Sequence, residues 1–386
     1  MSDHNKQIVC ISSHYWDDAW FRKQHFMSRF VKKGYEVAYI EPSFSMVRTA
    51  DSDKKNYQTN KLFEVSVERK NRNLLLIKPP RYLPFCTRPF INTLNIRYIS
   101  FRIADTLRKH GFKDYTLWVY RPEFADGLNI FHHKKLVADI ADDEAAYYAE
   151  NRLKSLYMKR CSETLVKKSD VVIVTASTLI DKFRRISSNI HLAPNGYDSD
   201  LFSIKTVKAP TDISEIKGPI VGFIGTLFNF LDFKLLDYII RKNTDKSFVF
   251  IGGCEASVEK EWKEISGYNN VFWLGKKEKE NIPAYIQQFD VCINFFKVDD
   301  VSKSVSPLKV FEYLALKKPV VSVEMESLMK EKVSNLIYFA KDYNDFHLKL
   351  NHAISHKKDE SEYQCVKEYS WDSIFSRVFE IFQKRI

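Results

Sequence analysis

Short β-rich runs alternate with longer helical patterns along almost the whole chain of 386 residues. The apolar runs form two series, one between residues 8 and 174 and the other between residues 220 and 339. Alternation of this kind predicts parallel sheets whose strands are joined by crossover helices. The length also exceeds what one hydrophobic core usually supports, so two domains are expected. The sequence therefore predicts an α/β protein with two Rossmann-like domains facing a cleft.

The stretch between the two series shows no clear period. Residues 204–218 contain Pro210, Thr211 and Asp212, a composition typical of a linker. We therefore place an N-terminal domain over residues 1–205 and a C-terminal domain over residues 206–370. In such sheets ligands collect at the carboxyl ends of the strands, and functional residues are expected there.

The segment 305–315 predicts a helix that points at an anion. Ser306 is a favoured N-cap residue, and Pro307 suits the first helical position. The free N–H groups of the first turn and the positive end of the helix dipole bind phosphate readily. Lys309 and Glu312 share one side of this helix, where a cation for a diphosphate and a carboxylate for sugar hydroxyls suit a nucleotide sugar. The alternative is a capped surface helix with an ion pair between the two. The opposite face is apolar and consists of Val310, Phe311, Leu314 and Ala315.

Glycines follow three strands of the second series. Gly225-Thr226, Gly252-Gly253 and Gly275 come directly after apolar runs, where glycine lets backbone N–H groups approach a phosphate closely. Glycine is also common at such turns for purely steric reasons, so both interpretations stay open.

The net charge of +11 indicates an acidic partner. The segment 69–113 carries about eleven lysines and arginines against the single acid Asp105, interleaved with aromatic residues. This mixture predicts contact with an anionic membrane surface. Single-stranded nucleic acid could use the same mixture, but no nucleic-acid-binding signature supports it. Residues 91–108 have an apolar stripe at helical spacing that either faces the membrane or packs on its own domain: Ile91, Leu94, Tyr98, Phe101 and Ala104.

The compartment is predicted from cysteines and from the absence of export signals. The six cysteines lie far apart without a C-x-x-C pair, which favours free thiols in a reducing compartment. The first residues lack the apolar core of a signal peptide, and no run reaches the length of a spanning helix. We expect a cytoplasmic protein, peripheral on the inner face of the membrane.

The order and spacing of several motifs give the chain a resemblance to the retaining GT-B glycosyltransferases of the group-1 family. Within that family it looks most like the bacterial capsule, teichuronic-acid and O-antigen sugar transferases. The motifs spread over nearly the whole chain and cover residues 16–22, 139–143, 194–198, 222–225, 274–275, 290–291, 306–315 and 318–321.

The resemblance implies the roles of the C-terminal half, which should bind the donor. Glu312 would bond the ribose hydroxyls, and the diphosphate would lie at the helix starting with Pro307 and Leu308. Other residues implied in donor binding are Gly225, Thr226, Gly275, Lys276, Ser304, Ser306 and Lys309. The resemblance also implies retention without a protein nucleophile, no cofactor and no metal, and a last helix over 371–386 that returns to the N-terminal domain.

Four positions depart from the family pattern, and at one of them, around Ala141 and Asp142, a sugar-contacting histidine of the family is replaced. Ser304 stands where a glutamate commonly contacts the donor sugar, and Thr226 and Leu231 stand where an arginine and a lysine are frequent. Lys309 therefore becomes the main candidate for neutralising the leaving diphosphate.

The loops of the N-terminal half are implied to bind the acceptor. His14 and Trp16 follow the first strand, and Asn195 precedes the linker. Asp142 and Asp143 follow a strand and could act on the acceptor or hold sugar hydroxyls. The alternatives are a structural histidine, a packing tryptophan, a loop-orienting asparagine and aspartates that cap the next helix.

The predicted function is transfer of a sugar from a nucleoside diphosphate, with uridine as the expected base, to a lipid-linked or growing envelope glycan. One alternative is a nucleotide-sugar epimerase of the same architecture. A second is a non-catalytic nucleotide- or glycan-binding protein, which the departures at Ser304, Thr226 and Leu231 would suit.

Overall fold

The computed structural model describes residues 6–46, 63–86, 88–204, 208–356 and 358–385. The chain divides into two compact units, of which the first comprises Met1–Ala193 with Phe375–Ile386 and the second comprises Pro194–Ile374. Part of the predicted linker, residues 205–207, lies outside the described residues. No helix in the described ranges is both long enough and apolar enough to cross a bilayer.

The first unit contains an eight-stranded sheet in the order β3-β4-β2-β1-β5-β6-β7-β8. All neighbours are parallel except β3, which is antiparallel to β4. The strands are β1 (Gln7–Ile11), β2 (Glu36–Ile40), β3 (Ser66–Asn71), β4 (Leu74–Lys78), β5 (Tyr115–Val119), β6 (His133–Ile140), β7 (Val171–Val174) and β8 (Ile190–Leu192). Its helices are α1 (Arg22–Lys32), α2 (Pro89–Lys109), α3 (Arg152–Lys168) and α4 (Ser177–Phe183).

The second unit contains a six-stranded parallel sheet in the order β11-β10-β9-β12-β13-β14. The strands are β9 (Ile220–Ile224), β10 (Ser247–Ile251), β11 (Val271–Trp273), β12 (Val291–Asn294), β13 (Val320–Val323) and β14 (Ile337–Ala340). The helices are α5 (Thr211–Ser214), α6 (Phe233–Lys242), α7 (Glu259–Ile265), α8 (Ile282–Ile286), α9 (Leu308–Ala315), α10 (Glu326–Met329) and α11 (Tyr343–Ser355). The last helix of the chain is α12 (Trp371–Arg385).

The predicted α/β architecture with parallel sheets is confirmed, but two strands of the first unit escaped the sequence analysis. β3 is a polar edge strand that is exposed along most of its length, and β8 has three residues, none of them buried. Neither strand carries the apolar signature of a central parallel strand. The first series of apolar runs in the sequence therefore has six members, whereas the sheet has eight strands.

The boundary between the units lies at Ala193, about twelve residues before the predicted one. The residues after it belong to the second unit because Tyr197 and Phe202 are buried in that unit's core. The backbone N–H of Tyr197 also donates to the carbonyl of Tyr369 at 3.0 Å.

The first unit contains residues from both ends of the chain. Phe375 of α12 lies with its ring centroid 4.9 Å from that of Phe30 and 5.8 Å from that of Phe26. Phe382 contacts Phe30 and Trp118 in the same way. Aromatic packing of this kind ties the end of α12 to the core beside β1 and β5.

Helix α2 has its apolar faces arranged differently from the prediction. Leu94, Tyr98 and Phe101 of the predicted stripe are exposed, so the packing interpretation was wrong for them. The residues that pack on the sheet are Ile96, Ile99, Ile103 and Leu107. Both sets repeat at helical spacing, so periodicity alone could not tell which one faces the core.

Each sheet has a switch point at its first strand. β1 lies between β2 and β5, and β9 lies between β10 and β12. The connections leave the first strand on opposite sides of the sheet at this point, which opens a crevice at the strands' carboxyl ends where ligands bind. Each unit therefore has one expected site.

Candidate active site

Two glycine turns pack against each other at the switch point of the second unit. Gly225 follows β9 with φ +138°, and Gly252 follows β10 with φ +141°. A Cβ atom on Gly252 would lie 2.1 Å from the carbonyl oxygen of Gly225. Only glycine permits this approach and this backbone conformation, so the steric interpretation accounts for Gly252.

Helix α9 begins at Leu308, and no side chain caps it. The prediction that Ser306 is the N-cap residue was wrong, because extended Pro307 occupies that position. The Ser306 hydroxyl instead accepts a hydrogen bond from the Asn195 N–H at 3.2 Å, and its carbonyl accepts one from Asn195 Nδ2 at 2.8 Å. Asn195 thus lies in the second unit and anchors its loop to the start of α9, as the loop-orienting alternative expected.

The apolar face of α9 packs as predicted. Val310, Phe311 and Leu314 are buried, while Ala315 is half-buried. Tyr313 adds a contact that the sequence did not reveal, since its hydroxyl accepts a hydrogen bond from the Ile224 N–H at 2.8 Å. This bond fixes the helix against the end of β9 and so sets the distance between Lys309 and the glycine turn.

Lys309 Nζ lies at the centre of this crevice. It is 4.0 Å from the ring centroid of Phe223 and 3.0 Å from where a Cβ atom on Gly225 would lie. Among the described residues it has no hydrogen bond or ion pair, so the predicted alternative of a pair with Glu312 is not found. Burial lowers the pKa of Lys309 to about 7, and the nearby Glu312 opposes this shift.

Glu312 lies one turn further along α9. Burial raises the pKa of its carboxyl to about 7, Lys279 and Lys309 oppose the shift, and Asp198 adds to it. A carboxylate and an ammonium without a direct partner, both with pKa values moved toward neutrality, are typical of a ligand site.

The remaining predicted donor residues lie on or next to the glycine turns. Thr226 is exposed next to Gly225, and the carbonyl of Gly275 accepts a hydrogen bond from the Gly252 N–H at 2.9 Å. The Lys276 side chain lies against Gly253, with Cε 2.6 Å from where a Cβ atom would be. The Gly225, Gly252 and Gly275 turns thus form one continuous rim at the ends of β9, β10 and β11.

Two of the departures from the family pattern have a structural explanation. Leu231 is fully buried in the core of the second unit and pairs with Phe296 through a backbone bridge. Ser304 is also buried, and its hydroxyl donates to the carbonyl of Val301 at 3.2 Å. Leu231 is therefore a core residue of the second unit.

The switch point of the first unit is centred on Lys23, which the sequence analysis missed. Lys23 follows β1 at the start of α1, is 8% exposed, and has no hydrogen bond or ion pair among the described residues. Its Nζ lies 5.5 Å from the ring centroid of Tyr120, which follows β5. Burial lowers the pKa of Lys23, while Asp142, Asp139 and Glu144 oppose this shift. Its position after the first strand was the one available signal.

Asp142 and Glu144 supply acceptor groups to the same crevice. Burial raises the pKa of Asp142 to about 6, with Lys23 opposing and Asp143 adding to the shift. Burial likewise raises the pKa of Glu144 to about 7, and Glu123 and Asp142 add to the effect. An ammonium beside two carboxylates can donate to and accept from the hydroxyls of one sugar.

Asp143 and Trp16 have structural roles. Asp143 Oδ2 lies 2.5 Å from Lys182 Nζ, and its Oδ1 accepts from the Ala145 N–H at 3.2 Å. Trp16 is buried against Tyr39, with ring centroids 5.1 Å apart. The Trp16 contact matches the packing alternative, whereas the predicted capping role is not found for Asp143, because Asn151 is the N-cap residue of α3.

His14 lies at the edge of the Lys23 crevice. Its ring stands 4.5 Å from that of Phe21, and its Nδ1 lies 3.0 Å from the Ser13 hydroxyl. Burial lowers the pKa of His14 to about 3, and Lys23 adds to this shift. The imidazole is therefore neutral at physiological pH and can still offer one nitrogen to a ligand hydroxyl.

Asp139 of the 139–143 motif is a structural residue. It is fully buried, its Oδ1 lies 2.8 Å from Arg22 Nε, and its Oδ2 accepts from Trp118 Nε1 at 3.2 Å. Arg22 also donates to the carbonyl of Ala193 at 2.8 Å. Among the described residues, no group of three or more histidine, cysteine or acidic side chains is placed to hold a metal ion.

Comparison with known proteins relates part of the second unit to a described family. Residues 218–356 match the family described as glycosyl transferases group 1. Over 226 residues the chain is 26% identical to a putative teichuronic acid biosynthesis glycosyltransferase, TuaH, of Bacillus subtilis (strain 168). The match covers 55% of this chain and 56% of TuaH, so it spans little more than half of that relative.

Solved structures resemble the chain over nearly its whole length. Sucrose-phosphate synthase from Thermosynechococcus elongatus matches with a TM-score of 0.73 at 14% identity over 98% of both chains. The E. coli trehalose-6-phosphate structure bound with UDP-2-fluoro glucose matches with a TM-score of 0.68 at 11% identity, over 98% of this chain and 99% of that one. Anabaena HepE in complex with UDP and glucose gives 0.62 at 13% identity, over 97% and 99%. The chain therefore has the GT-B fold, and its residues 218–356 form a group 1 glycosyltransferase domain.

Proposed function

We propose that this protein transfers a sugar from a nucleoside-diphosphate donor to a lipid-linked or growing cell-envelope glycan, with retention of the anomeric configuration. The observation that carries the proposal is the crevice beside Gly225, where Lys309 and Glu312 lie one turn apart and neither has a hydrogen bond or ion pair within the described part of the chain. The relative's name supports an envelope glycan, and the UDP in two of the similar structures supports a uridine donor.

The donor diphosphate would lie between the Gly225 turn and the first turn of α9. There the uncapped helix N-terminus and the Lys309 ammonium both favour negative charge. Glu312, one turn along the same helix, would accept hydrogen bonds from the ribose hydroxyls. Helix dipole and lysine together would take the place of a divalent metal.

The acceptor hydroxyl would bind at the Lys23 crevice of the first unit. Lys23 would donate to it, and Asp142 and Glu144 would accept from its neighbours on the sugar ring. Since the proposed reaction uses no protein nucleophile, catalysis would come from orienting two bound substrates and stabilising the leaving diphosphate. Orientation can supply ~7–11 kcal/mol of the barrier, and fixed hydrogen-bond donors at the developing charge roughly 3–4 kcal/mol more.

The lipid-linked acceptor would be reached at the inner face of an anionic membrane, through the basic segment 69–113. Eleven cations against one acid in this segment suit lipid phosphates.

Calorimetric binding of UDP, GDP, dTDP, ADP and CMP in the presence of EDTA tests the donor site. We expect selective binding of one nucleoside diphosphate, and a loss of at least tenfold in affinity for Glu312→Ala because its ribose contacts disappear. Glu259→Ala, which removes an exposed glutamate of the same unit, is the matched control and should bind as the wild type does. Absence of binding by every nucleotide would refute the proposed site.

Turnover separates the competing functions. A transferase should consume the donor rapidly only when an acceptor is present, whereas an epimerase would act on the donor alone. Tight binding of a nucleotide without turnover across a broad panel of lipid-linked and soluble glycans would favour the non-catalytic alternative.

The affinity for the nucleoside diphosphate should be greatest near pH 7. Above this pH Lys309, whose pKa is lowered to about 7, loses the charge that attracts the diphosphate. Below it Glu312, whose pKa is raised to about 7, becomes protonated and accepts weaker hydrogen bonds. The Kd measured between about pH 5.5 and pH 9 should rise on both sides, approaching roughly tenfold per pH unit. Lys309→Ala should remove the alkaline rise and Glu312→Gln the acidic one, and a profile unchanged in both variants would contradict this assignment.

A further inference from the structure

Helix α2 presents apolar residues on two opposite faces. Its core face is buried, whereas Phe90, Leu94 and Phe101 are 75%, 45% and 62% exposed. At about 100° per residue, these three fall with Arg97 and Arg108 within an arc of about 60°. This stripe runs along the 21-residue helix on the side away from the sheet. Its aromatics therefore serve neither the core nor the helix itself.

Helix α3 begins beside α2 and carries two further exposed leucines. Asn92 Nδ2 of α2 donates to the Tyr157 hydroxyl of α3 at 3.1 Å, so the two helices are neighbours there. Leu153 lies one turn before Tyr157 and is 69% exposed, and Leu156 is 54% exposed. We define the docking face by these five apolar residues, Phe90, Leu94, Phe101, Leu153 and Leu156. Five largely exposed apolar side chains on two neighbouring helices exceed the singly scattered apolar residues that are usual on soluble domains.

The charges around the docking face are mostly basic. Arg97 and Arg152 are exposed on the same two helices. The nearby acids are engaged by other cations of this surface: Asp105 by Arg108 and Lys109, Asp126 by Arg160, and Glu163 by Lys159. A second copy of such a face would repel the first, whereas an anionic surface complements it.

We propose that the docking face is the surface by which this protein lies on an anionic lipid bilayer. The phenylalanines and leucines would enter the boundary between headgroups and acyl chains, and the arginines would contact lipid phosphates. The inference deepens the proposed function, because a lipid-linked acceptor would be presented at this surface. It extends the basic segment 69–113 by the leucines of α3, which no charge count could identify.

Flotation of the full chain with vesicles tests the proposal. The vesicles contain phosphatidylcholine alone, or phosphatidylcholine with about one third phosphatidylglycerol. We expect binding to the anionic vesicles that weakens as salt rises, and little binding to phosphatidylcholine. The triple variant Phe90→Ser, Leu94→Ser, Phe101→Ser should bind at least tenfold more weakly, and Arg97→Glu about tenfold more weakly. The replaced apolar side chains are exposed, so folding should be unaffected.

Matched controls are Leu348→Ser and Lys260→Glu, which change exposed residues of the second unit. They should float as the wild type does. Absence of wild-type binding, or equal binding by the triple variant, would overturn the docking face. Calorimetric titration of the triple variant with the preferred nucleotide keeps the two proposals apart. If the triple variant no longer floats but keeps its nucleotide affinity, both proposals are supported. If the wild-type protein floats with the anionic vesicles but binds no nucleotide, the donor site alone is overturned.

Discussion

Replacing Lys309 by alanine should lower kcat for sugar transfer by roughly 100- to 1,000-fold, the usual cost of removing one fixed donor at a developing negative charge. The Lys309 ammonium is held over the Phe223 ring and beside the Gly225 turn, and it has no hydrogen bond or ion pair among the described residues. It is therefore available to the leaving diphosphate. Because that charge grows toward the transition state, kcat should fall more than KM rises. Initial rates with the donor identified by calorimetry measure the effect.

Glu312→Ala provides the contrast to this variant. Glu312 is expected to bind the ribose, which changes little during the reaction. Its loss should therefore raise the KM for the donor while kcat falls much less. Lys260→Ala, which removes an exposed lysine of the same unit, should leave both constants unchanged. If Lys309→Ala retained the wild-type kcat, the lysine would not be the group that stabilises the leaving diphosphate.

Replacing Asp139 by alanine should lower the free energy of unfolding of the first unit by about 3–5 kcal/mol. Asp139 is fully buried and lies 2.8 Å from Arg22 Nε, which is itself 2% exposed. The substitution leaves the guanidinium buried without its counter-charge and removes the acceptor of the Trp118 N–H. Urea denaturation followed by tryptophan fluorescence should report the loss, because Trp118 lies in the core of this unit.

A double variant separates the effect of an unpaired buried charge from the effect of lost side-chain packing. Asp139→Leu together with Arg22→Met removes both charges, and it should cost less than Asp139→Ala alone because no unpaired charge stays buried. Nucleotide affinity should persist in Asp139→Ala at low denaturant, since the donor residues belong to the second unit. A loss below about 1 kcal/mol in Asp139→Ala would show that Arg22 finds another partner or reaches water.

The prediction from sequence was most complete for the second unit. All six of its strands are apolar runs between helical patterns, and parallel strands covered on both faces leave that signature. The strands of the first unit were predicted less completely, because β3 is polar and β8 has no buried residue. The start of α9 was also misjudged: Ser306 suited a cap by residue type, but its hydroxyl is used by Asn195, which precedes it by 111 positions.

The sequence by itself determined the α/β class, the two parallel sheets, and the placement of Lys309 and Glu312 on the same side of one helix. These follow from local periodicity and from residue spacing within one element. Only the tertiary structure decided that Lys309 has no hydrogen bond or ion pair among the described residues, that Lys23 lies with Asp142 and Glu144, and which apolar stripe of α2 faces solvent. Each of these depends on contacts between strands and helices that are distant along the chain. Local patterns carry no information about which distant groups become neighbours, since strand order and side-chain packing settle that together.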